Sequence, residues 1–100
     1  MGATIIVEAV FRTGFEEYFQ EYSALVRGYL EKHGGQVIRR QRIERKLYGE
    51  DKPDLLMVID FPQREVAERI FFEPEYLNII PLRDKVFSRF EMYLAPFGDI

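Results

Sequence analysis

Residues 55–61 read LLMVIDF, and this run limits the possible folds more than any other stretch. Leu55, Met57, Ile59 and Phe61 fall on one side of an extended chain; Leu56, Val58 and Asp60 fall on the other. Apolar residues on both sides demand cover on both sides, which makes this the expected centre of a sheet. Pro62 ends the strand. Val66, Ala67, Ile70 and Phe71 then recur at helical spacing, with Arg64, Glu65, Glu68 and Arg69 turned outward. Pro74 restarts a short helix at its first position, where a missing N–H is harmless, and Pro81 is expected to end it. The stretch from Asp54 to Arg83 is thus a strand and the helix that closes over it.

The remaining segments supply three more strands and one more helix. Residues 4–12, TIIVEAVFR, alternate and are rich in β-branched side chains. Thr13 and Glu16 have the spacing of a capping box. Behind them Phe15, Tyr18, Phe19, Tyr22, Leu25, Val26, Tyr29 and Leu30 form a largely aromatic stripe at spacings of three and four. Core packing is the plain explanation of that stripe, although its tyrosine hydroxyls need partners or a pocket. Gly34 suits a left-handed helix stop, and Gly35 lets the chain turn. Residues 36–48 read as an edge strand that grows more exposed, GEDKP at 49–53 as a loop, and residues 86–94 as the last strand, followed by the tail APFGDI.

This order is β-α-β-β-α-β, the ferredoxin-like α+β arrangement: a four-stranded antiparallel sheet with two helices on one face. One hundred residues with 47% hydrophobic content suit a single domain over 1–100. Ile5, Val7, Ala9, Phe11, Phe90 and Met92 join Leu55, Met57, Ile59 and Phe61 beneath the helices. Strict alternation assigns Ile6, Val10, Ile38, Leu56, Val58, Phe87 and Tyr93 to the opposite face, together with Glu8, Arg40, Arg42, Asp60, Arg89 and Glu91. Such a face is too apolar for water and too charged for a dry core. A second copy of the sheet answers both difficulties, so a homodimer with a partly polar cavity between sheets is expected.

Charge and composition exclude several classes. A net charge of −3 opposes general binding to nucleic acid or anionic membrane. The strand LLMVIDF also lacks the glycine and aromatic pattern on which RNA bases stack. No cysteine is present, which removes thiolate chemistry and cysteine-ligated metals. The single histidine, His33, excludes a multi-histidine metal site. Phosphate-binding and dinucleotide glycine motifs are missing, and no cofactor is expected. The N-terminal run Ile5-Ile6-Val7 is cut by Glu8 and fits no signal peptide or membrane span, so a cytoplasmic location is the expectation.

Several short motifs occur in a fixed order: Gly34-Gly35 after the first helix, the loop GEDKP, Asp60-Phe61-Pro62, Val66-Ala67, Glu73-Pro74-Glu75-Tyr76, and Leu82-Arg83. The ordered set spans nearly the whole chain. It resembles the bacterial family named domain of unknown function 1330 (DUF1330), within the dimeric α/β-barrel superfamily. The resemblance implies a ferredoxin-like protomer and a dimer packed sheet to sheet. It also implies kinship with cofactor-independent monooxygenases, isomerases and haem enzymes, without a settled reaction for the family. Glu73, where a serine is common, and the basic run at 39–46 depart from the family pattern.

The candidate chemistry centres on few residues. Asp60, a carboxylate among Leu56 and Val58, is expected either to pair with a nearby arginine or to serve as a base. The resemblance puts Tyr76 and Arg83 near a cavity mouth, where Tyr76 could donate to a ligand oxygen and Arg83 could hold a carboxylate. Asp60 and Tyr76 are therefore the catalytic candidates, and Arg40, Arg42, Arg83 and Tyr22 the ligand-binding ones. Two readings stay open: a dimeric protein with a small organic ligand and cofactor-independent, monooxygenase- or isomerase-like chemistry, or a non-enzymatic dimeric binding or interaction module.

Overall fold

A computed structural model describes residues 1–98. Its order is β1 (Ala3–Phe11), α1 (Glu16–Lys32), β2 (Gln36–Arg42), β3 (Leu55–Phe61), α2 (Arg64–Arg69), a 3-10 turn (Ile70–Phe72), α3 (Pro74–Leu77), α4 (Ile80–Val86) and β4 (Phe87–Pro96). The sheet is antiparallel in the order β2-β3-β1-β4, the ferredoxin-like topology. LLMVIDF lies in an interior strand, as its two apolar sides require. The expected tail begins inside β4, which takes in Ala95 and Pro96; Asp99 and Ile100 lie outside the described residues. Among the described residues, no helix is long and apolar enough to cross a membrane.

The core sits between the sheet and the helices. Ile5, Val7 and Ala9 of β1 face Ile59, Met57 and Leu55 of β3 in register. Tyr22, Tyr29 and Leu30 descend from the α1 stripe, and Ala67, Ile70 and Phe71 from the second helical layer. Phe61 is fully buried. Gly35 makes that possible: a Cβ there would stand 2.8 Å from the Phe61 ring and 3.1 Å from the Leu30 carbonyl oxygen. Gly34 adopts φ +81° and ends α1 as expected.

Two β-bulges change which side chains share a face. β2 gains one residue against β3, so Val37 pairs with Ile59 while Arg39 pairs with Val58, and Ile38 is the extra residue. Beyond the bulge the parity reverses. Arg40 and Arg42 therefore pair with Met57 and Leu55 and lie on the helix side, against the expectation from alternation. In β4 the shift falls at Ser88: Arg89 pairs with Val10, yet Phe87 pairs with Phe11. Phe87 accordingly belongs to the helix side and is buried, not on the outer face.

Two local expectations also change. Thr13 makes no cap. The turn runs through Gly14 at φ +83°, and α1 starts after Phe15 without a side-chain cap. Pro81 opens a helix instead of ending one, because it occupies the first turn of α4, where its ring fits and no donor is lost.

Candidate functional site

A cavity of about 560 Å³ lies between the helix side of the sheet and α1, a size typical of small-molecule sites. The protomer's cavity thus lies on the opposite side of the sheet from the intersheet space expected. Its walls are largely apolar, with Val26, Leu30, Met57, Phe90 and Met92 among them. Phe87 stands edge-on to Tyr22 at 5.5 Å between ring centroids and lies 5.3 Å from Phe90, while Phe71 stands edge-on to Tyr76 at 5.1 Å.

Two hydroxyls interrupt this wall. Tyr22 reaches it because residues 19, 22 and 26 share one stripe of α1, all with side chains packed inward. Tyr76 reaches it from α3, whose start is set by Pro74. Both rings are nearly buried, at 7% and 3% exposure. Burial pushes the Tyr22 hydroxyl well above the usual tyrosine value, and the neighbouring Tyr76 adds to the effect. Burial also raises Tyr76, although the hydrogen bond and charge of Arg83 act against it. Both therefore stay protonated at neutral pH and act as O–H donors. Among the described residues Tyr22 has no hydrogen-bond partner, whereas the third buried tyrosine, Tyr29, donates to the Ile70 carbonyl at 2.6 Å.

Arg83 stands behind this pair. Its Nη1 donates to Tyr76 Oη at 3.4 Å, its Nε lies 3.4 Å from Asp84 Oδ1, and its guanidinium covers the Phe90 ring at 4.7 Å. It thus engages Tyr76 from outside the cavity lining. Because Arg83 donates to the Tyr76 oxygen, the Tyr76 proton is left to point elsewhere.

The rim is charged. Arg40 crosses from β2 to α1 and rests over Phe19, 5.1 Å from the ring centroid. Arg27 and Glu31 of α1 line the same opening. Arg42 lies further along, over Phe11 and Phe15 at 4.7 and 5.7 Å, and is not part of the lining. Asp60 is on the other face of the sheet. It accepts a 2.7 Å hydrogen bond from Thr4 Oγ1, its register partner in β1. The structure thus brings Tyr22, Tyr76 and Arg40 to one cavity, sets Arg83 behind Tyr76, and separates Asp60 from all of them by the thickness of the sheet.

Ser23, Gln36 and Arg27 also line the cavity and carried no mark in the sequence. Phe87 and Phe90 carried one that could have been read. Two large apolar residues three apart share a strand face only if a bulge intervenes.

The fold is similar to that of several solved proteins. A protein of unknown function from Rhodopseudomonas palustris superposes with a TM-score of 0.82 at 15% identity, over 99% of this chain and 84% of that one. A dimeric protein of unknown function and ferredoxin-like fold from Bacteroides fragilis gives 0.67 at 9% identity, over 96% of each chain. SnoaB, a cofactor-independent oxygenase from Streptomyces nogalater, gives 0.59 at 14% identity, over 99% of this chain and 95% of that one. At these identities the likeness is one of fold alone. No curated protein matches the sequence. The family model described as Domain of unknown function (DUF1330) matches residues 5–95, and the chain belongs to that family.

Proposed function

We propose that this protein is a homodimer in which each protomer binds a small organic molecule in its helix-side cavity and acts on it without a cofactor, as an oxygenase or isomerase would. The observation that carries the reading is the Tyr22–Tyr76 pair: two buried, protonated hydroxyls on the wall of a largely apolar cavity with a charged rim, one of them backed by a guanidinium. Such donors suit an oxygen atom on which negative charge gathers during a reaction. Tyr76 is the proton donor in this scheme, Tyr22 the second donor, Arg83 the positioning residue and Arg40 the rim cation.

Dimerisation is supported by the open face of the sheet. Ile6, Val10, Leu56, Val58 and Tyr93 spread across β1, β3 and β4, around the Glu8–Glu91 pair and Arg89. A like-charged pair directly opposite in a sheet is unfavourable by itself; Arg89 Nε lies 3.4 Å from Glu91 Oε1, and Glu8, with no cation within ion-pair distance among the described residues, gains from a partner's. Asp60 belongs to this surface, where a role in the dimer interface suits it better than one as a base. The ferredoxin-like relative from Bacteroides fragilis is itself dimeric.

A second reading, a binding protein without a reaction, is favoured by one observation. Glu31 is the sole carboxylate lining the cavity among the described residues, and it lies on the rim. Any proton taken from a ligand would have to go to the ligand itself, to water or to an oxidant.

Differential scanning fluorimetry against a panel of organic acids, ketones and phenols tests ligand binding. The expected outcome is a stabilising shift of several degrees for wild type that shrinks in Tyr76→Phe. No shift with any compound, or a shift that Met57→Trp leaves unchanged although it fills the cavity, would reject the ligand reading. Mass analysis of bound compounds after incubation in air then separates the two readings. New products favour the enzyme, and intact ligand favours the binding protein.

A further inference from the structure

We infer that the cavity takes an organic monoanion lengthwise, with its acidic group at Arg40 on the rim and an uncharged acceptor oxygen at the inner end against Tyr22 and Tyr76. This rests on the cavity being a ligand site and goes on to name the ligand's chemistry and direction. The polar groups of the lining divide by burial: Tyr22 and Tyr76 are buried, Ser23 is half-buried, and Arg27, Glu31, Gln36, Arg39 and Arg40 are exposed, while Val26, Leu30, Met57 and Phe90 supply apolar wall. The inner end is unsuited to a charge. Its donors are neutral hydroxyls, and the one guanidinium nearby is already engaged by Tyr76 and Asp84. A desolvated carboxylate there would keep no free counter-charge.

The rim has the opposite character. Arg27, Arg39 and Arg40 line it with a single acid, Glu31, and among the described residues Arg40 has no carboxylate within ion-pair distance. Arg40 is exposed and held by a stack on Phe19, an interaction weak enough to exchange for a bidentate hydrogen bond with a carboxylate. Its place depends on the extra residue at Ile38, without which Arg40 would point to the other face. An acid with an apolar, preferably flat body and an ether, carbonyl or hydroxyl oxygen at its far end satisfies both ends at once.

Fluorescence titration of the full chain with three probes tests this: 6-methoxy-2-naphthoate, 2-naphthoate, which lacks the far oxygen, and 2-methoxynaphthalene, which lacks the acid. The first is expected to bind about tenfold more tightly than either of the others. Arg40→Gln should abolish the advantage of the acid and leave 2-methoxynaphthalene binding within about twofold of wild type. Arg42→Gln, the same charge change two residues on, should leave that advantage intact. Tyr22→Phe should remove the advantage of the methoxy oxygen alone. Equal binding of all three probes, or an acid advantage that survives Arg40→Gln, overturns the two-ended recognition while the cavity stands as a ligand site. Binding of none of them up to millimolar concentration overturns both.

Discussion

β1 and β2 both alternate along the sequence, yet only β1 keeps its alternation through its entire pairing with β3. β1 is hydrogen-bonded on both sides, by β3 and β4, and buries every second residue from Ala3 to Ala9. A one-residue slip there would move Ile5, Val7 and Ala9 out of the core at once. β2 is an edge. It has one neighbour, all seven of its residues are exposed, and it carries a bulge at Ile38 at small cost. The centre of this sheet therefore stores the fold, and the edge is free to aim side chains at a cavity.

The comparison can be broken most severely at the centre of the open face. Val58→Asp puts a charge where a second sheet is proposed to pack, and light scattering is expected to show a monomer at micromolar concentration. Wild type should be dimeric under the same conditions. Inside the core, Phe61→Ala should lower stability by about 3–5 kcal/mol in urea unfolding, because a fully buried ring leaves a cavity. Gly35→Ala should lower it by about 1–3 kcal/mol, since the added methyl meets the Phe61 ring and a backbone oxygen.

Asp54 joins centre to edge. It accepts a 3.0 Å hydrogen bond from the Phe11 N–H, and its own carbonyl accepts from Ile43. Burial acts to raise its carboxyl, but the Phe11 N–H and Lys52 outweigh that and hold it below the usual carboxylate range. A carboxyl lowered in the folded state stabilises above its unfolded value, about 3.9. That contribution should fade as pH falls from there through the folded value. Asp54→Asn is expected to be less stable by about 1 kcal/mol near neutral pH, and its difference from wild type should shrink on acidification. At the edge itself, Ile38→Ala should change stability by no more than about 0.5 kcal/mol. A loss there as large as at Phe61 would erase the distinction between the two strands.

The same contrast explains what could be read from the sequence. Element order, the central place of LLMVIDF, the aromatic stripe of α1 and the stop at Gly34 follow from periodicity and local stereochemistry, and all of them appear in the structure. Arg40, Arg42 and Phe87 were assigned to the wrong face because alternation assumes an unbroken register, and bulges at Ile38 and Ser88 break it. α4 was hidden because Pro81 looks the same whether it stops one helix or opens the next. Tyr22 was legible as a hydroxyl on an apolar stripe, and Tyr76 and Arg83 through the family resemblance; that Tyr22 and Tyr76 meet at one cavity, with Arg83 behind Tyr76, depends on how α1, α3 and α4 pack. Asp60 was legible as a carboxylate in an apolar strand; that its partner is Thr4 depends on the β1–β3 register.

The sheet keeps the cavity on one side and the open face on the other, and this bears on kinetics. A dimer formed through the open faces would leave both cavity mouths beside the free edge strand β2, so that ligand exchange would need no subunit dissociation. Each dimer should then saturate at two ligands along a hyperbolic curve. Any communication between the two occupants would have to pass through β3 and β1, the two interior strands of the sheet.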